Sequence, residues 1–348
     1  MDAYPPDLDP PPPAGSVGAL LKKALKSHWK SLALNFSITI CLWWYFGGFF
    51  GILFLLFSFG RALYNTSDRL IYYPLIPAHS RIYVQLPSTL GLDYESVTIK
   101  CADRTKLHGF LILQPGEKRS MAPTLVFLHG NAGNIGHRLP NSKVLHQLGL
   151  NVLLLEWRGY GQSEGKPSEA GFYKDAMAGI DFLLSRKDLN KKRIIVFGRS
   201  LGGAVAIDLA SRTEYQDKIA CLIVENSFTS IPDMAKLLIP AKPIQKLPSL
   251  FYKNKYDSRR KVASVKCPAI FISGSLDELV PPFMMHELYE RCGSNWKRLL
   301  VVPSGTHNST WACRQYYEDL SQALKEALDE YESSVFDDSQ TKTVVINI

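Results

Sequence analysis

The stretch that most constrains this chain lies at 193–210. An apolar run, Arg193-Ile-Ile-Val-Phe197, meets Gly198-Arg199-Ser200-Leu201-Gly202, and a small-residue segment, Gly203-Ala-Val-Ala-Ile-Asp-Leu-Ala210, follows at once. The first run reads as a buried strand and the last as a helix, so the pentapeptide has to turn one into the other. A turn that tight forces Ser200 towards a strained backbone and leaves no room for a β-carbon at Gly198 or Gly202. Ser200 Oγ then stands clear of the sheet, in front of the unpaired N–H groups of a helix N-terminus. In a chain with 24 glycines the same motif also arises as an ordinary strand-to-helix turn. Other elements must decide between the two readings.

A serine hydroxyl is a weak nucleophile until a base lies within hydrogen-bond reach, and the base needs an acid to hold its tautomer. On this kind of sheet the order is Ser, then Asp or Glu, then His, each past a strand end. Asp277 follows the apolar run 269–273 in Gly274-Ser-Leu-Asp-Glu278, before a helix that starts near Pro281. Glu278 and Glu225 are the rival acids. His307 follows the run 298–302 in Ser304-Gly-Thr-His-Asn308. Of the other histidines, His28 precedes a long apolar segment, His79 and His108 lie near the N-terminus, and His137, His146 and His286 fall in helical patterns. His129 opens His129-Gly-Asn-Ala-Gly-Asn134, after the run 124–128, and reads as a brace for that loop. The oxyanion donors expected are the backbone N–H of Leu201 and, from that loop, of Asn131, with Ala132 second. Ser163 and the glycines of 158–165 read as pocket wall.

Around these points apolar runs at 151–157 and 219–224 alternate with helical patterns, after a hairpin-like pair at 96–101 and 107–113. The alternation predicts a mostly parallel sheet covered by helices on both faces. Residues 230–266 break the rhythm with prolines, aromatics and a basic cluster, and read as a cap over one edge of the sheet.

Ahead of all this, 31–60 contains no charged residue. About 20 apolar residues suffice to cross a bilayer as a helix. The run is too short for two full spans and too long for a signal peptide, so a single signal-anchor helix over 31–60 is expected, with the glycines at 47, 48 and 51 kinking it or letting it approach a partner. It follows a Pro-rich tail and a basic stretch within 1–30. Lys22, Lys23, Lys26 and Lys30 on that side place it in the cytosol by the positive-inside bias. The expected topology is therefore single-pass type II, with 61–332 as a lumenal or extracellular domain and 333–348 as a polar tail; a domain on the cytosolic face is the alternative. Asn65 and Asn308 stand in glycosylation triplets.

The net charge of +8 comes from the N-terminal lysines and from nine Lys/Arg between 236 and 266. No nucleic-acid motif accompanies them, so nucleic acid is not an expected partner, nor is an obligate protein partner. Among the six cysteines there is no C-x-x-C pair, which argues against a zinc or dithiol site; Cys292 and Cys313 would pair only in an oxidising compartment. No metal or organic cofactor is expected.

Taken together, His129-Gly-Asn-Ala-Gly-Asn134, Arg158-Gly-Tyr-Gly161, Gly198-Arg-Ser-Leu-Gly-Gly203, Asp277 and His307 resemble the Bem46-like branch of the α/β-hydrolase superfamily. The resemblance covers roughly 60–332. It implies an α/β-hydrolase fold with an eight-stranded sheet, and a serine hydrolase acting on an ester or thioester, an acyl-lipid or acyl-protein, with palmitoyl-protein among the implied substrates. A carboxylate-dependent epoxide or haloalkane hydrolase is disfavoured by the serine. Two other readings stay open: a serine peptidase, and a membrane-anchored binding protein that kept the fold without the activity.

Overall fold

The structure, a computed structural model, describes residues 29–239 and 242–343. The Pro-rich tail read over 1–30 therefore lies outside the described residues as far as 28, as does the extreme C-terminus at 344–348.

Eight strands form one sheet: β1 (Tyr94–Lys100), β2 (Lys106–Ile112), β3 (Thr124–Leu128), β4 (Asn151–Leu155), β5 (Ile194–Arg199), β6 (Cys221–Glu225), β7 (Ala269–Gly274) and β8 (Lys297–Val302). Their order is β1-β2-β4-β3-β5-β6-β7-β8. β2 runs antiparallel to both of its neighbours, and every pair from β4 to β8 is parallel. This is the α/β-hydrolase arrangement expected from the sequence.

The central strands are buried throughout, and apolar except towards their ends, because helices cover both faces. Alternate residues of β5 show the division: Ile194 and Val196 join the cluster under α4 (Glu169–Ser185), α5 (Leu201–Ala210) and α7 (Pro282–Arg291). Ile195 and Phe197 join the opposite cluster, under α3 (Leu139–Gln147) and α8 (Tyr316–Thr343). Ser168 caps α4 by accepting the Gly171 N–H at 3.1 Å. Between β6 and β7, α6 (Ile231–Leu238) and several short helical turns make up the cap. α8 continues to Thr343, beyond the expected start of a polar tail at 333.

The uncharged N-terminal run differs from expectation. It forms two helices, α1 (Trp29–Phe46) and α2 (Gly48–Ile71), that part at Gly47, whose φ is 84°. That dihedral is strained for any residue with a β-carbon. The chain then folds back: a Cβ on Gly51 would stand 3.2 Å from the Thr39 carbonyl oxygen, twelve positions earlier. In a continuous helix those positions would be about 18 Å apart. Gly48 and Gly51 thus let two helices of the same chain touch, the close approach that the sequence offered beside a kink. Among the described residues no helix is long and apolar enough to cross a membrane. α2 also runs past 60, so the domain boundary drawn at 61 falls inside it.

Candidate active site

At the β5–α5 junction Ser200 adopts φ 53° and ψ −118°. Such a conformation costs a non-glycine residue about 1–3 kcal/mol and persists only where its surroundings enforce it. They do so on three sides. Ser200 N–H donates to Glu225 O at 2.8 Å, and Ser200 O accepts the Ser227 hydroxyl at 2.8 Å. A Cβ on Gly202 would overlap the Leu128 carbonyl oxygen at the end of β3, and one on Gly198 would meet Ala206 Cβ at 2.7 Å. Both glycines are therefore steric requirements of the turn.

Asp277 lies between β7 and α7, and His307 lies past β8. Their loops bring them to Ser200. His307 Nδ1–H donates to Asp277 Oδ2 at 2.8 Å, which leaves Nε2 to accept the Ser200 Oγ–H at 3.1 Å. All three residues are buried. Asp277 Oδ1 accepts the N–H groups of Leu279 and Val280 at 3.0 and 2.8 Å, which fixes the carboxylate plane. The rival acids sit elsewhere. Glu278 accepts the His307 backbone N–H, at 3.3 Å, and not its ring. Glu225 faces Arg199 and Tyr316.

The loop after β3 lies against the elbow: a Cβ on Gly130 would stand 3.6 Å from Ser200 Cβ. Among the described residues, neither the Leu201 N–H nor the Asn131 N–H donates to a protein acceptor. Asn131 is held from behind, its carbonyl accepting Tyr73 N–H at 2.9 Å and Tyr160 O–H at 2.8 Å, while its Nδ2 donates to Ile71 O at 3.1 Å. His129 is fully buried and bonded to Gly130 O and Glu156 Oε1 at 2.9 and 3.0 Å. Ser163 bridges the Glu156 carbonyl and the His108 N–H, both at 2.9 Å. These two residues brace the loops. Among the described residues, no cluster of His, Cys, Asp and Glu is arranged to hold a metal ion.

Two residues behind the site escaped the sequence reading. Arg199 Nη2 donates to His307 O and to Asn308 Oδ1, both at 2.7 Å. Its Nε is 3.3 Å from Glu225 Oε1, and Tyr316 O–H donates to the other oxygen of that carboxylate. Burial pushes the Glu225 carboxyl above its ordinary range, against the pull of the Arg199 charge. Asn226, at a left-handed φ of 46°, donates through Nδ2 to Thr306 O, His307 O and Thr310 Oγ1, and its Oδ1 accepts Gly274 N–H at 2.9 Å. One side chain thus ties β6 and β7 to the histidine loop. The visible signal was a polar pair, Glu225-Asn226, closing an apolar strand. Of the two glycosylation candidates, Asn308 has its amide oxygen engaged by Arg199, and Asn65 lies within α2.

Comparison with known proteins bears on the family and the fold. A family profile described as "Serine aminopeptidase, S33" matches residues 119–260, a span that holds Ser200 and the Asn131 loop. Protein bem46 of Schizosaccharomyces pombe is 38% identical over 266 residues, covering 76% of this chain and 87% of that protein. The alpha/beta hydrolase domain-containing protein WAV2 of Arabidopsis thaliana is 40% identical over 256 residues, covering 70% and 82%. An uncharacterized membrane protein of Saccharomyces cerevisiae is 34% identical, covering 76% and 91%. Among solved structures, the Pyrococcus furiosus esterase Pf2001 superposes with a TM-score of 0.58 at 25% identity, over 75% of this chain and 98% of the esterase. An acetyl xylan esterase from Paenibacillus sp. R4, at 18% identity and a TM-score of 0.54, shares the fold.

Proposed function

The chain belongs to the Bem46-like branch of the α/β-hydrolases, and from that premise we propose that it is a membrane-associated serine hydrolase that cleaves acyl esters or thioesters through Ser200, His307 and Asp277. The observation that carries the proposal is the unbroken line of hydrogen bonds from Asp277 through His307 to a strained, buried Ser200. In this reading His307 Nε2 takes the Ser200 proton as Oγ attacks the acyl carbon. The developing oxyanion is met by the Leu201 and Asn131 N–H groups, each worth about 3 kcal/mol in the transition state. The His307 imidazolium, steadied by Asp277, then protonates the leaving alcohol or thiol. Water, activated by the same histidine, hydrolyses the acyl-enzyme. Membrane association is supported by the uncharged 31–60 run and by the yeast relative described as a membrane protein.

A second reading, cleavage of peptides, draws support from the description of the matching family profile. Labelling by a fluorophosphonate tests the shared chemistry: wild type should react and Ser200→Ala should not. An unreactive wild type, in a preparation where other serine hydrolases react, would sink the enzyme reading. Turnover of acyl esters and thioesters against aminoacyl anilides then separates the two substrate classes, and a preference for the anilides would replace the ester proposal.

A further inference from the structure

The hairpin of α1 and α2 bears on the side of the membrane at which the domain works. Its uncharged arms are short. Residues 31–46 of α1 span about 24 Å and 48–60 of α2 about 20 Å, against a hydrocarbon core of about 30 Å. Neither arm reaches the far headgroups, yet between them they present aromatic side chains next to the turn: Trp43, Trp44, Tyr45, Phe46, Phe49 and Phe50 are all more than half exposed. A soluble surface does not carry such a cluster without a partner. Two hydroxyls of α1 are turned inward on their own helix. Ser37 Oγ donates to Ala33 O at 3.0 Å and Thr39 Oγ1 to Asn35 O at 2.7 Å, the i−4 bonds by which hydroxyls are satisfied in lipid.

We propose that 29–71 enters a bilayer from one side as a re-entrant hairpin and returns to that side, so that the N-terminal lysines and the hydrolase domain share the cytosolic face. The occupant of the exposed aromatic surface is lipid. Two observations outside the hairpin agree. The five cysteines of the domain, Cys292 and Cys313 among them, are free, as suits a reducing compartment. Asn308 is bonded to Arg199 beside the candidate base, where a glycan would break the site. The base of the hairpin is also tied to the domain: Asp68 accepts from Lys253 and, at 2.8 Å, from Asn254 of the cap, and Ile71 O accepts from Asn131 of the oxyanion loop. The face that carries the site is therefore the face joined to the membrane segment.

This inference rests on the membrane part of the proposed function and not on the triad. It is tested on the full chain, carrying a C-terminal glycosylation acceptor tag, synthesised into intact microsomes. The expected result is a protein that resists alkaline carbonate extraction, gains no glycan on the tag, and has its domain digested by protease added from outside. A glycosylated, protease-protected domain would establish the type II topology and overturn the hairpin. Release by carbonate would overturn membrane insertion altogether. Fluorophosphonate labelling, read in parallel, reports the serine chemistry separately from either outcome. A Gly47→Leu/Gly51→Leu variant adds a positive control, since Leu at 51 would collide with Thr39 and Trp43. If closing at Gly47 is what keeps the domain outside, this variant forms one long uncharged helix and the tag becomes glycosylated. A variant that keeps the wild-type pattern would argue that the turn does not set the topology.

Discussion

Some of the groups that order the candidate site do not contact Ser200 themselves. Asp277 is the clearest case. Its Oδ2 accepts the His307 Nδ1–H, and its other oxygen is fixed by two backbone donors. In Asp277→Asn an amide N–H would face Nδ1, favour the other imidazole tautomer, and leave Nε2 protonated and unable to accept from Ser200. We expect kcat on an activated ester to fall about 10³- to 10⁴-fold, with KM and the melting temperature near wild type. A loss of less than tenfold would mean that Asp277 is a turn residue. The serine, acid and histidine were legible in the sequence because each follows a strand in a loop whose residue types have a chemical reason to be there. Arg199 and Asn226 were not. They act on the main-chain carbonyl of His307, and a carbonyl leaves no mark in sequence.

The strands could be read because each central one is a short apolar run bounded by polar or glycine-rich turns, and their parallel order followed from the helices between them. The hairpin of α1 and α2 could not. Two helices that pack through small residues carry the same uncharged, apolar composition as one long span, and it is the backbone of Gly47 that parts them. Elsewhere, elements are joined by charge. Arg158, after β4, bonds Asp175 of α4 through Nε at 2.8 Å and Asp103 of the β1–β2 turn through Nη1 at 2.9 Å. The guanidinium holds the Asp103 carboxyl well below the usual carboxylate range, whereas burial moves Asp175 upward. A folded-state pKa lowered in this way stabilises the protein above the unfolded value near 4, and that stability is lost as pH falls through the folded one. Asp103 is 28% exposed at its side chain, so its pairing contributes about 1 kcal/mol at neutral pH. Urea titrations should show Asp103→Asn less stable than wild type at pH 7, with the gap narrowing once the pH drops below about 4. A gap independent of pH would assign the contribution to packing.

At the scale of the whole molecule, the hairpin and the cap form one surface. Lys253 bonds Asp68 and lies 5.5 Å from the Tyr64 ring, so the base of α2 and the basic segment of the cap are in contact. Beyond that contact the cap exposes Leu237, Leu238, Leu250 and Phe251 together with Lys242 and Lys246. Apolar side chains flanked by lysines suit the boundary between acyl chains and anionic headgroups. If the hairpin inserts and the cap rests on the headgroups, binding has two separable components: apolar insertion, indifferent to lipid charge, and an electrostatic part worth about 1 kcal/mol per lysine near the surface. The double variant Lys242→Gln/Lys246→Gln should therefore bind phosphatidylserine-containing vesicles about 30-fold more weakly than wild type in low salt. Its binding to neutral phosphatidylcholine vesicles should be unchanged, as should its hydrolysis of a short, soluble ester, since neither lysine approaches Ser200 in the hydrogen-bond network of the site. Raising the salt to shorten the Debye length below about 5 Å should erase the difference between variant and wild type. Equal losses on both kinds of vesicle would show that the substitutions disturb the hairpin itself. No loss on either would turn the cap away from the bilayer and leave α1 and α2 as the whole of the membrane contact.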